Sequence, residues 1–120
     1  MPQANQPVRV RGATGPNGSR VTGVFLPSGE LFNDRPLFHK GDDPNEFLLY
    51  AKDTTWMVTD SDSKEKNNSS GWGASLEKGF PHPAMVNRWK VVVDGKWEEQ
   101  ALVVASALVR PRPLLPPPIA

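Results

Sequence analysis

The chain has only two imidazoles, His39 and His82. A Ser or Thr nucleophile would have to take one of them as its base, with a carboxylate to orient it. Nothing around them marks such a site. There is no Gly-x-Ser-x-Gly elbow, and the two histidines do not share a His-x-x-x-His spacing. Cysteine is absent, which removes thiolate nucleophiles, disulfides and thiolate metal sites together. Acidic residues gather at Asp42, Asp43 and Glu46, and again at Asp60 and Asp62. The second group begins like a calcium loop. However, Glu65 stands where a glycine makes the sharp turn, and Gly71 stands where an acid closes the coordination. Both groups read as solvated turns. The expectation is a non-enzyme without metal or cofactor.

Two further patterns suggest ligands. Val8 to Gly18 supplies a strand followed by glycines, as at the start of a dinucleotide-binding unit. The helix that must receive the pyrophosphate is missing, because Gly23, Pro27 and Gly29 interrupt the segment where it would form. The stretch reads as a loop between antiparallel strands. The four tryptophans, at 56, 72, 89 and 97, offer indole faces on which sugars or bases stack. Trp56, Trp89 and Trp97 lie in β-patterned runs among Val and Met, so they are expected to pack inside. Trp72, between two glycines after the longest polar loop, is the candidate exposed platform. Arg9, Arg11 and Arg20 raise a single-stranded nucleic-acid barrel as a further reading. A net charge of +1 and the acids at 42, 43, 60 and 62 weigh against nucleic acid as a partner.

The elements that must hold these residues are short. Apolar or alternating runs are cut by turn residues every eight to twelve positions or so, the spacing of a sandwich or barrel. Val8–Arg11, Arg20–Leu26, Leu31–Phe32, Leu37–Lys40, Glu46–Tyr50, Thr54–Thr59, Gly71–Leu76 and Trp89–Val93 read as strands. Asn33 to Pro36 and Lys52-Asp53 read as turns, and Asp60 to Ser70 as a polar loop. Asp94-Gly95 between β-formers is the strongest hairpin signal, matching a type I′ turn. Gln100 to Val109 fits a strand or a short helix, and its Val103-Val104 pair favours the strand. No twelve-residue segment carries an uninterrupted helical face. The expected fold is all-β: a small antiparallel β-sandwich or barrel of about 7–8 short strands with disordered termini. It divides into a flexible arm at 1–7, a β domain at 8–109 and a proline-rich tail at 110–120.

The 120-residue length, 38% hydrophobic content and mean hydropathy of -0.47 suit one small core rather than a large cleft enzyme. No apolar run approaches the length of a membrane span, and the N-terminus lacks a signal-peptide pattern, so the chain is expected to be cytoplasmic or part of a longer protein.

The tail has a chemistry of its own. Five of its residues are Pro, and it reads Arg-x-x-Pro-x-x-Pro through Arg110, Pro113 and Pro116. Proline fixes φ near the polyproline II value and offers no N–H, so the run loses little entropy when an aromatic groove takes it. The tail resembles class I ligands of SH3 domains. In that mode Arg110 meets an acidic patch, while Pro113, Leu115 and Pro116 fill the slots. Arg112 departs from the Leu common in such ligands, and a semi-rigid linker is the plainer alternative.

Gly23-Val-Phe25, Asn33 to Lys40, Leu48 to Tyr50, Trp56 to Val58, Trp89 and Gly95 to Trp97 together are similar to small tryptophan-anchored β modules. Such modules recur in tandem in large multidomain eukaryotic proteins. This chain has Phe25 and Phe38 where Tyr is usual, and Asp34 where Gly is usual. The resemblance implies a building-block β domain and assigns no ligand. The combined expectation is a non-catalytic protein-interaction or scaffold module with a docking tail. A carbohydrate-binding sandwich using Trp72, with a glycan as its partner, is the alternative.

Overall fold

The computed structural model describes residues 6–106. Within them, nine antiparallel strands form one sheet curled into a half-barrel. The strands are β1 Val8–Arg11, β2 Gly23–Phe32, β3 Arg35–Lys40, β4 Asp43–Tyr50, β5 Trp56–Asp60, β6 Gly73–Ser75, β7 Trp89–Val93, β8 Lys96–Gln100 and β9 Val103–Ser106. Three short helices interrupt them: α1 Gly18–Val21, α2 Ser61–Lys66 and the 3-10 turn η1 Pro83–Met85. No helix among the described residues is long and apolar enough to cross a membrane. The tail expected at 110–120, and most of the arm expected at 1–7, lie outside the described residues.

The order across the sheet is β8-β7-β6-β5-β4-β3-β2-β1-β9. Eight strands succeed one another as a meander, and β9 returns to the far side of β1, pairing Val8 with Ser106 and Arg11 with Val103. The two ends of the sheet are thus consecutive in sequence, joined only through Ala101 and Leu102. Three Cα steps reach at most about 11 Å. The sheet must therefore curl until its edges nearly meet at that end.

Turn chemistry sets the hairpins. Asn33 and Asp34 both take positive φ, 50° and 66°, as a type I′ turn between β2 and β3 requires. Asp94 and Gly95 do the same between β7 and β8, at 51° and 77°. Between β4 and β5, the Asp53 carboxylate accepts from the Thr55 N–H at 3.1 Å and its hydroxyl at 2.6 Å, closing the loop locally.

Alternation along the strands builds a core on each face. Val8, Val10, Phe25, Phe38, Leu48, Tyr50, Trp56, Val58, Trp89 and Val91 form one cluster. They come from strands as distant as β1 and β7, which converge only on the concave side. Val21 of α1 and Val86 after η1 complete it. The buried indoles satisfy their N–H groups: Trp56 donates to the Phe80 carbonyl at 2.8 Å, and Trp89 to that of Val86 at 3.2 Å. Leu37, Leu49, Met57 and Ala74 form the smaller outer cluster, with Phe32 and Phe47 at its margin. Lys64 of α2 lies over both of those rings.

Several local expectations are corrected. Arg20 and Val21 belong to α1, so β2 starts at Gly23. The strand then runs through Pro27 and Gly29, because a register shift between Pro27 and Leu31 absorbs the missing N–H. The polar stretch after Asp60 is partly helical. Asp60 caps α2 by accepting from the Ser63 N–H, and Asn67 ends it in the left-handed region. Trp97 is on the surface rather than in the core. Gly73 also gains a reason: a Cβ there would stand 3.1 Å from both methyls of Val21, so glycine lets α1 seat against β6.

Candidate functional site

The residues singled out for catalysis are not brought together. Phe38 faces the inner core, and alternation along β3 turns His39 the other way. His82 is buried, edge-on to Phe38 with ring centroids 5.7 Å apart. Its Nδ1 accepts from the Ala84 N–H at 3.1 Å, which starts η1. His82 therefore acts as a helix cap in a packed setting. Among the described residues, no group of three or more His, Asp or Glu side chains is placed to hold a metal ion.

Trp72 is half-buried against the inner core rather than free-standing. The Arg20 guanidinium lies 4.6 Å from the centre of its ring. Arg20 also reaches Glu46 Oε1 at 3.5 Å, and Glu46 Oε2 lies 3.1 Å from Lys40 Nζ. Both Lys40 and Glu46 are buried. The Lys40 ammonium donates to the carbonyls of Ser19 and, at 3.4 Å, Arg20. Those are orphan carbonyls at the end of α1, where a cation is favoured. The result is a chain of contacts, Trp72–Arg20–Glu46–Lys40, that fastens α1 to β3, β4 and Trp72. A polar depression of about 450 Å³ lies beside it, bounded by Ser19, Asp42 and Asp43. Trp72 and the acids stand out in the sequence, whereas their link to Lys40 does not. The available signal is that Lys40 ends one strand of a hairpin and Glu46 lies on the next, where the two can meet across it.

The second exposed feature is β8. All but its last residue are exposed, and Trp97 has 42% of its surface in water. Lys90 Nζ sits 4.5 Å from the centre of the Trp97 ring. Beside it, Arg88 holds Glu99 with two hydrogen bonds, of 3.0 and 2.8 Å. Those bonds and the adjacent positive charge keep the Glu99 carboxyl below its usual range, and they raise Arg88. The sequence carries a signal here too. Lys96, Glu98 and Gln100 alternate with Trp97 and Glu99, so neither face of β8 is continuously apolar.

Arg110, Pro113, Leu115 and Pro116, the expected partner-binding residues, lie outside the described residues. Compared with known protein families, curated proteins and solved structures, the chain matches none.

Proposed function

We propose that the chain is a non-catalytic protein-interaction module whose β domain carries a proline-rich docking tail to an SH3-type partner. The observation behind this reading is the Arg110-x-x-Pro113-x-x-Pro116 spacing, which begins just beyond Ser106, the last residue of β9. β9, the strand that precedes the tail in sequence, is paired along its length with β1. Arg110 supplies the charge that meets an acidic specificity patch, and Pro113 and Pro116 occupy successive slots of an aromatic groove. The glycan alternative has less support, since the Trp72 ring it would use carries Arg20 instead.

Titrating a panel of SH3 domains against the full chain tests the reading. At least one member should bind. Binding should weaken with Arg110→Ala and with added salt, because the Arg110 contact is charged. It should be lost when Pro113 and Pro116 are both changed to Ala. A panel with no binder, or binding indifferent to the proline changes, overturns it.

A further inference from the structure

We propose that the outer edge of β8 is a self-recognition surface, on which two copies of this chain pair β8 with β8 about a two-fold axis through Trp97. This surface is separate from the tail and does not depend on it.

The backbone sets the phase of the edge. In a hairpin with a two-residue type I′ turn, the pair flanking the turn exchanges hydrogen bonds and the next pair does not. Here the flanking pair is Val93–Lys96 and the next is Val92–Trp97. Two hydrogen bonds agree with that phase. The Val92 N–H donates to the Trp72 carbonyl at 2.8 Å, and the Val92 carbonyl accepts from Asn17 Nδ2 at 2.8 Å. Both polar groups of Val92 therefore point away from β8. By the same alternation, the N–H and C=O of Trp97 and of Glu99 point away from β7. Among the described residues no strand pairs with that side. The other sheet edge differs, because η1 packs beside β9.

The side chains then select the register. Two antiparallel copies of this edge can be centred on Trp97, Glu98 or Glu99 while keeping the outward groups in phase. Centring on Glu98 or on Glu99 sets that carboxylate against its own copy, which is unfavourable. Centring on Trp97 sets Lys96 opposite the partner's Glu98 and Glu98 opposite the partner's Lys96. The two Trp97 residues then exchange both backbone hydrogen bonds and lie side by side, a favoured aromatic cross-strand pair. The charges this register needs are available. Glu99 is already taken by Arg88. Among the described residues, Glu98 accepts from the Gln100 amide at 3.2 Å, and neither Glu98 nor Lys96 has an ion-pair partner. A five-residue edge is short of a standard interface, so the dimer is of the weak, concentration-dependent kind.

Sedimentation equilibrium of the full chain over a concentration series tests this. The expected result is a reversible monomer–dimer equilibrium. Glu98→Lys alone and Lys96→Glu alone should each raise the dissociation constant about tenfold, because each turns both cross-strand pairs into like charges. The double exchange should restore it to near the starting value, since the swapped pair is again complementary. Circular dichroism checks that each variant is folded. In the unaltered chain, amide exchange at Trp97 and Glu99 should slow as concentration rises. A chain that stays monomeric to about 1 mM, the weak limit of measurable association, overturns the proposal. So does a dimer that the single reversals leave intact or that the double exchange fails to restore.

Discussion

Trp89 and Trp97 belong to one hairpin and meet opposite fates. Trp89 on β7 is 1% exposed and Trp97 on β8 is 42% exposed. Both are tryptophans in strands of the same hairpin, though Trp89 is followed by Lys90 and three valines and Trp97 sits among charged residues. What separates them is register. The Asp94-Gly95 turn pairs Val92 with Trp97, and Val92 shares the outer face with Lys90, whereas Trp89 and Val91 point inward. A slip of one residue would have turned Trp97 to the concave face. Position in the sheet adds to this: β7 is paired on both sides, while among the described residues β8 is paired only with β7. The contrast teaches that a tryptophan in a β-patterned run is placed by the turn beside it and by what lies beyond its strand.

Removing the buried ring is the strongest way to sharpen that contrast. Trp89→Ala empties an indole-sized space in a cluster that spans the concave face, and should destabilise the domain by roughly 3–5 kcal/mol. Urea unfolding monitored by circular dichroism measures it. A cost below that at Trp97 would reverse the inside–outside assignment.

The same contrast holds for ion pairs. Lys40–Glu46 is buried, while Arg88–Glu99 lies in water. Glu46→Ala strands the Lys40 ammonium in a buried site and frees Arg20, and should cost about 3 kcal/mol. Replacing both members, with Lys40→Met and Glu46→Leu, should recover most of that loss, because the desolvation of two charges goes with them. If the double variant is as unstable as Glu46→Ala alone, the pair holds α1 by its hydrogen bonds to the Ser19 and Arg20 carbonyls rather than by charge balance.

The all-β class is legible in the sequence through its turns. Asp94-Gly95 and the 33–36 segment read as turns because few other residue types suit them, and strict alternation marks β1. Other features depend on distant contacts. The turn of α1 rests on Val21 finding Gly73 and on Lys40 capping the end of α1, and no local pattern encodes either. β2 continues through Pro27 because the pairing with β3 shifts there. The closure of the curl comes from β9 joining β1, a partnership nearly a full chain length apart. At the candidate site, Trp72 stands out for its flanking glycines, yet Arg20 reaches its ring only once α1 is formed. The exposure of Trp97 is within reach of the sequence, since a two-residue Asp-Gly turn already fixes which residue it opposes.

Changing Trp97 should do much less to the monomer. Trp97→Ala removes an exposed ring whose contacts are Val92 across the hairpin and the Lys90 ammonium, and should cost less than about 1 kcal/mol in dilute solution. Urea unfolding at low protein concentration measures it. A loss comparable to that of Trp89→Ala would mean that β8 is covered by residues outside the described span.

The smallest expected effect is at Glu99, and its pH dependence identifies it. Arg88 holds the Glu99 carboxyl below the ordinary glutamate value of 4.5, so the folded chain binds that proton less readily than the unfolded chain does. The stabilisation is therefore fully present above about pH 5, beyond the ordinary carboxylate range. It declines as the pH falls through the lowered folded value. Arg88 stays charged throughout, so only Glu99 titrates. Thermal unfolding of the unaltered chain and of Glu99→Gln, compared from pH 7 downward, should give a slight advantage to Glu99 at neutral pH. That advantage should shrink and vanish in acid, and it should also shrink with added salt, because both groups are exposed to solvent. An advantage that persists unchanged at low pH would show that Glu99 acts through the shape of its contact with Arg88 and not through its charge. The exposed pair would then resemble packing more than an ion pair.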